Sequence, residues 1–139
     1  MGGDGPDSGP DREIATVREY LRSLVDHDWD ALRATLAPDV VRRGPYLDDY
    51  RGAEPYVAML ASTLPSLVDY ELDVARVWGD GNGRVCAELS ETVTIAGARL
   101  RTDEAIVFEI GEGAGGGAGD SARITAVQVF LRKSYDPTT

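Results

Sequence analysis

Cysteine and histidine are almost absent from this sequence of 139 residues. The single cysteine, Cys86, excludes an intramolecular disulfide framework and any cysteine-based metal site. The single histidine, His27, cannot form a zinc site built from histidines, and we interpret it as a solvated turn residue. We therefore expect neither a metal nor another cofactor.

Basic residues are also few, since 14 Lys and Arg stand against 24 Asp and Glu, a formal net charge of −10. Nucleic acids and anionic membranes are bound by clustered Lys and Arg, so neither is an expected partner. No stretch approaches the roughly 18 apolar residues of a membrane span, and the N-terminus lacks an apolar segment typical of a signal peptide. The expected location is the cytoplasm.

The length leaves room for one domain with one core. Met1–Pro10 is rich in Gly, Pro and Asp and has nothing to bury, which predicts a disordered tail before a single domain over Asp11–Thr139. The glycine-rich run Gly111–Asp120 predicts a flexible loop.

Apolar spacings of three and four residues predict three helices in the first half of the chain, over residues 11–26, 28–38 and 55–65. Asp28 or Asp30 is the expected cap of the second helix, which carries Leu36 on its inner face and ends at Pro38. Tyr46–Gly52 is predicted as a loop. Alternating patterns predict strands over residues 40–43, 70–78, 84–95, 99–110 and 124–135. Helices followed by an antiparallel meander indicate an α+β fold.

The central hairpin carries the clearest chemical signal. Each of its two strands has a face that is apolar except for one carboxylate, Glu91 on the first strand and Glu104 on the second. With Gly97-Ala98 as the two-residue loop, Glu91 stands directly opposite Glu104. A shift of two residues leaves the two acids diagonal but still on the same face.

Two carboxyl groups on an apolar wall cannot both ionise cheaply, because like charge and desolvation raise the pKa of one of them. One carboxylic acid beside one carboxylate is an acid/base pair for proton transfer or for activating water. Arg43 is the expected counter-ion, or holder of an anionic substrate. The alternative is that the glutamates form plain salt bridges with Arg43, Arg99 or Arg101 at the rim of the sheet.

The run Glu19–Pro45 (EYLRSLVDHDWDALRATLAPDVVRRGP) resembles the opening of the nuclear transport factor 2-like superfamily, in its SnoaL-like and ketosteroid-isomerase-like branch. The similarity extends over about Asp11–Tyr135. It implies a cone-shaped, curved antiparallel or mixed sheet packed against three N-terminal helices, an NTF2-like roll with a pocket. Such a scaffold hosts many activities, so the resemblance specifies the fold more than the reaction.

Against the isomerases, the phenol of the first helix matches Tyr20, whose other interpretation is a core aromatic residue with a satisfied hydroxyl. Their catalytic base falls on Gly44 and the acid of their oxyanion hole falls on Ile106. Steroid-type isomerisation by that mechanism is therefore not expected.

Against the epoxide-hydrolase-like members, the Arg-x-Asp of the third strand matches Glu91 and Val93, and the carboxylate of the last strand matches Val129. Polyketide cyclases also place an acid on a late strand, where Val129 offers none. The candidate catalytic residues of this chain are therefore Glu91, Glu104 and Tyr20. The residues expected to bind substrate are Arg43, Tyr46, Tyr56, Met59, Ile106 and Val129.

Three functions follow from these observations. The first is a protein with a pocket for a hydrophobic metabolite, in which the glutamates catalyse isomerisation, cyclisation or water addition. The second is a non-catalytic homodimeric module that only binds a ligand. The third is an interaction domain acting through the outer sheet face around Gln128, Phe130 and Arg132, the face also expected to form the homodimer.

Overall fold

The computed structural model of this protein describes residues 9–45, 49–112 and 122–137. Helices come first and a long run of strands follows, so the predicted α+β class is confirmed. The elements are α1 (Gly9–Asp26), α2 (Trp29–Ala34), β1 (Leu36–Arg43), β2 (Asp49–Arg51), α3 (Ala53–Thr63), a 3-10 turn (Leu64–Ser66), β3 (Val68–Gly79), β4 (Arg84–Ile95), β5 (Ala98–Glu112) and β6 (Ala122–Tyr135).

The strands form one curved six-stranded sheet in the order β2-β1-β6-β5-β4-β3. Neighbouring strands are antiparallel except β1 and β6, which run parallel with Arg42 paired to Val127. The sheet is therefore mixed, which is one of the two arrangements that the fold prediction left open. Register irregularities in β1, β3, β5 and β6 bend their strands, as bulges do, and favour a curved sheet over a flat one.

The core lies between the helices and one face of this sheet, because α1 and α3 each turn an apolar stripe towards it. The large buried side chains of these two helices are Val17, Tyr20, Leu21 and Leu24 on α1 and Tyr56, Val57 and Leu60 on α3. The face that they cover, here called the inner face, carries Val40, Val85, Ala87, Leu89, Ile106, Phe108, Val127 and Val129. Within the described ranges, no helix is long and apolar enough to cross a membrane.

Most predicted boundaries agree with the structure, with differences in the first half of the chain. Asp28 caps α2, since its side chain accepts a hydrogen bond from the Ala31 amide. Leu36 is not helical as predicted, because β1 begins there and pairs with Ile124 of β6. Asp49–Arg51 is a short strand within the segment predicted as a loop.

Two further segments lie partly beyond the described residues. Gly9 and Pro10, predicted in the tail, begin α1, while the rest of the predicted tail is outside the described ranges. Gly111 and Glu112 extend β5, and the remainder of the predicted Gly111–Asp120 loop is likewise outside them.

The hairpin joining β4 to β5 has a different loop from the predicted one. Ile95 pairs with Ala98, so the loop is Ala96-Gly97 rather than Gly97-Ala98. Both loop residues have positive φ, 53° at Ala96 and 83° at Gly97, as a type I′ turn requires. The register therefore differs by two residues from the direct Glu91–Glu104 pairing, which was wrong.

Candidate active site

Glu91 and Glu104 share the inner face but stand diagonally across the β4–β5 pair. Glu104 is opposite Leu89, and Glu91 is opposite Thr102. A diagonal spacing on one face is within reach of long side chains, and Glu91 is close enough to contribute to the raised pKa of Glu104. The prediction of a shared face is confirmed.

Glu104 is the more buried member of this pair, with 6% of its surface exposed. Its Oε2 atom accepts no hydrogen bond from any donor in the described part of the chain. A buried carboxylate oxygen without a donor is costly, so this environment favours the protonated acid.

The electrostatics agree with that geometry. Burial, then the hydrogen bond and the negative charge of Glu91, raise the pKa of Glu104 from 4.5 to about 9, and the Arg42 charge opposes the rise. At neutral pH Glu104 therefore holds a proton.

Tyr70 on β3 is a third member of the site. Its hydroxyl donates a hydrogen bond of 2.5 Å to Oε2 of Glu91, and burial beside Glu91 raises the pKa of Tyr70. Sequence patterning places Tyr70 on the same strand face as Leu72 but did not identify it as a site residue. The available signal was its phenol on a strand expected next to β4.

Two further phenols are near enough to Glu91 for its charge to help raise their pKa values. Tyr20 of α1 and Tyr56 of α3 are buried, and their hydroxyls form a short hydrogen bond to each other. Burial and the neighbouring Tyr56 raise the pKa of Tyr20 well above its ordinary value, so its phenol stays protonated and can donate. Tyr20 is part of the core, and its role as a catalytic donor stays a prediction.

The arginine of the site is Arg42, and the prediction of Arg43 was wrong. Arg42 follows Val40 on the inner face, lies 5.8 Å from the ring centroid of Tyr56 and opposes the raised pKa of Glu104. Arg43 points to the other face, where it is exposed. Because neighbouring strand residues alternate between faces, only one of the two can reach the glutamates.

Two of the arginines named in the salt-bridge alternative, Arg99 and Arg101, pair elsewhere. Arg99 lies 3.3 Å from Glu71, and Arg101 lies 3.9 Å from Asp73 and 3.5 Å from Asp103. These contacts lie between carboxylates and guanidinium groups on β3 and β5, away from the buried pair.

The other predicted binding residues surround the pair to different extents. Ile106 and Val129 are paired neighbours on the inner face and belong to the core, as does Tyr56. Met59 is partly buried against that core. Tyr46 lies outside the described residues. Ligand binding by these residues stays a prediction.

A cavity of about 710 Å³ opens beside Tyr70, between the C-terminal end of α1, the 3-10 turn and β3. We call it the Tyr70 cavity. Its lining residues are Val25, His27, Leu64, Pro65, Leu67, Tyr70, Glu71, Leu72 and Asp73. In the described ranges, no group of three His, Cys, Asp or Glu side chains is placed to hold a metal ion.

Solved structures share this fold. An LEH-like epoxide hydrolase of M. tuberculosis is 24% identical, with a TM-score of 0.71 over 88% of this chain and 84% of the other. Bal32a, from a soil-derived mobile gene cassette, is 18% identical, with a TM-score of 0.74 over 91% and 92%. An NTF2-like protein of Cytophaga hutchinsonii is 17% identical, with a TM-score of 0.64 over 86% and 89%. At these identities the likeness shows the fold alone.

The family assignment comes from sequence. No curated protein matches the chain in sequence. The family model of the SnoaL-like domain matches residues 17–130, which include every element from within α1 to the middle of β6. The resemblance seen in the sequence is thereby confirmed, and the chain belongs to the SnoaL-like domain family.

Proposed function

We propose that this protein is an enzyme that moves protons on a small hydrophobic metabolite, with Glu104 as the acid and Glu91 as the base. The observation that carries the proposal is Glu104 itself. It is a buried carboxyl group whose Oε2 has no donor among the described residues, placed beside a second carboxyl group. When their surroundings make one of two neighbouring carboxyl groups hold its proton more tightly than the other, that group can act as the acid and the other as the base.

The pair performs a balanced proton transfer. In an isomerisation, Glu91 removes a proton from carbon while Glu104 donates its proton to the substrate oxygen. Returning the first proton to another carbon, and the oxygen's proton to Glu104, completes the cycle. In cyclisation or water addition, Glu91 takes the proton of the attacking hydroxyl or water as its oxygen bonds to carbon, and Glu104 protonates the oxygen that accepts the displaced electrons. Transfer of a proton from Glu91 to Glu104 then restores the starting state of the pair.

The remaining polar side chains assist this transfer. Tyr20 has the protonated phenol needed to donate to an oxygen that gains negative charge, and Tyr56 orients that phenol through their shared hydrogen bond. Tyr70 holds Glu91 through its hydroxyl. Arg42 supplies the positive charge that balances the ionised partner.

The test combines titration with turnover. Carboxyl-detected NMR should show Glu104 titrating near pH 9, and a screen of neutral terpenoid and polyketide-like ketones, alcohols and epoxides should give turnover. Glu91→Gln and Glu104→Gln should abolish that turnover but leave ligand binding roughly intact. Glu88→Gln and Glu109→Gln, on the same two strands but on the outer face, are the matched controls and should retain it. A Glu104 that titrates near its ordinary value of 4.5 would sink the proposal.

A second candidate function is a homodimeric or interaction module acting through the outer face. This candidate is favoured by two large side chains exposed there, Phe130 at 48% and Trp78 at 43%. Sedimentation velocity should then show a dimer that Phe130→Lys dissociates, while Ile95→Lys at the equally exposed hairpin end leaves it intact. A monomeric wild-type protein would remove the dimer from this account.

A further inference from the structure

We propose that the Tyr70 cavity binds the apolar body of an uncharged substrate and presents it to the glutamate pair. The inference rests on the proposed function, since it names the chamber and the substrate class that the pair serves. A volume of about 710 Å³ lies within the range of small-molecule sites, roughly 300–1,000 Å³.

The cavity shares two residues with the immediate surroundings of Glu91. Tyr70 lines the cavity and donates its hydroxyl to Glu91. Leu72 also lines the cavity and is the direct strand partner of Glu91. Tyr70 and Leu72 therefore connect the cavity to the base, and displacement of the Tyr70 hydroxyl would let a polar atom of a bound molecule contact Glu91.

The walls of the cavity favour an apolar molecule. The apolar lining residues are Val25 of α1, Leu64 and Pro65 of the 3-10 turn, Leu67 after that turn, and Leu72 of β3. Val25 is 47% exposed, an unusual position for a branched apolar side chain on a helix that otherwise directs such residues inward. Filling the cavity with an apolar body would remove this surface from water.

The charges at the rim disfavour an anion. Glu71 and Asp73 line the cavity, and His27 is the one basic side chain among its described lining residues. The arginines that face these acids, Arg99 and Arg101, already pair with them. With a chain charge of −10 as background, a carboxylate, phosphate or thioester-linked nucleotide would meet repulsion at this opening.

Two dyes of opposite character test the inference on the intact chain. Nile red is uncharged and anilinonaphthalene sulfonate is an anion, and both fluoresce when transferred to an apolar site. Nile red should bind with one saturable site, and the anionic dye should bind about tenfold more weakly or not at all. Nile red should also shift the carboxyl resonance of Glu91 and the ring resonances of Tyr70.

Variants that fill the cavity with a larger side chain test whether the dye binds there. Val25→Trp and Leu67→Trp should each raise the Kd of Nile red by about tenfold or more, because the ring occupies the dye's space. Phe130→Trp places the same ring at a comparably exposed position on the outer face of β6, away from the cavity lining, and should leave the Kd unchanged. Two filling variants keep the test valid if thermal melting shows that one of them is unfolded.

The outcomes separate the two proposals. If Nile red binding is indifferent to both filling variants, or leaves the Glu91 resonance unmoved, the cavity inference is overturned, whereas a high Glu104 pKa would still uphold the proposed function. If the dye binds in the cavity but Glu104 titrates near 4.5, the proposed function falls, and the cavity's role as its chamber falls with it. Preference for the anionic dye would overturn the assigned substrate class.

Discussion

Glu104 lies diagonal to Glu91 across two antiparallel strands, two residues out of direct register, with Leu89 occupying the position opposite Glu104. The offset has a chemical consequence. Leu89 and Thr102 fill the direct positions, so the carboxyl groups meet only through their extended side chains. Each acid has a different environment, because Glu91 accepts a hydrogen bond from Tyr70 while Glu104 is buried.

Replacing Glu91 by Gln should lower the pKa of Glu104 without restoring its ordinary value. The negative charge and the hydrogen bond of Glu91 are lost, but burial is the largest cause of the rise and remains. Carboxyl-detected NMR should therefore place Glu104 between 4.5 and about 9 in this variant. Glu88→Gln on the outer face of β4 is the control. An unchanged Glu104 titration in Glu91→Gln would contradict the pairing.

The stability of the protein should fall as pH rises from about 4.5 to about 9 because of Glu104. Its pKa is raised in the folded state, so over this window the folded protein binds a proton that the unfolded chain has released. The stabilising contribution is complete below the lower value and is lost as pH passes the upper one, with a slope of at most about 1.4 kcal/mol per pH unit.

Urea unfolding at several pH values measures this slope, and Glu104→Gln should flatten it. Glu109→Gln removes one carboxyl group from the exposed side of the same strand and so controls for net charge. Equal slopes for the wild type and Glu104→Gln would show that Glu104 is not a buried acid.

Arg42→Gln should raise the pKa of Glu104 further, since the Arg42 charge is the influence that opposes the rise. Burial raises the pKa of Tyr56, and the Arg42 guanidinium opposes that rise. Arg42→Gln should therefore raise the pKa of Tyr56 further as well. The neighbouring variant Arg43→Gln removes an equal charge from the opposite face and should move neither titration. NMR titration of both side chains decides between the two arginines, and a larger effect from Arg43 would reverse the assignment made here.

How much of this site the sequence could predict depends on what each contact requires. Alternation alone places Glu91 and Glu104 on one face, because a strand has only two. Alternation could not distinguish Arg42 from Arg43, since Val40 and Val41 before them are both apolar and leave the phase of the strand open.

The sequence could not predict the contacts that depend on turn conformation and strand register. The hairpin register depends on a positive φ at Ala96, a conformation that sequence patterns assign to Gly or Asn. The hydrogen bond from Tyr70 to Glu91 depends on how β3 pairs with β4, across a glycine-rich turn and a register shift. Neither the backbone conformation of Ala96 nor the register between β3 and β4 produces a periodic pattern in the sequence.

Removing the hydroxyl of Tyr20 or of Tyr56 should lower the free energy of unfolding by different amounts, and the two losses should not be additive. Tyr56→Phe leaves the buried Tyr20 hydroxyl without the partner shown for it and should cost about 1–3 kcal/mol. Tyr20→Phe should cost less, because the Tyr56 hydroxyl also bonds to Arg42. A double-mutant cycle by urea unfolding measures the coupling. Strictly additive losses would mean that the two hydroxyls do not interact.

Ala96→Gly should stabilise the hairpin by about 0.5–1 kcal/mol, because an L-residue with a side chain is strained at the positive φ of 53° found there. Gly97→Ala is the opposite substitution at the second loop residue, whose φ is 83° and whose added methyl group would meet no atom within 4 Å. It should therefore destabilise the protein through conformation alone. Thermal unfolding should show a higher Tm for Ala96→Gly and a lower Tm for Gly97→Ala than for the wild type. A destabilised Ala96→Gly would contradict the turn type.

The parallel contact between β1 and β6 also determines when the site can form during synthesis. Arg42 is translated early, yet the strand that fixes it on the inner face is the last of the sheet to leave the ribosome. Until then β1 has only β2 as a strand neighbour, and the positive charge that balances the glutamates has no fixed location. Pairings between distant segments of a chain are slow to form. Assembly of the charge-balanced site therefore belongs to the final stage in the folding of this sheet.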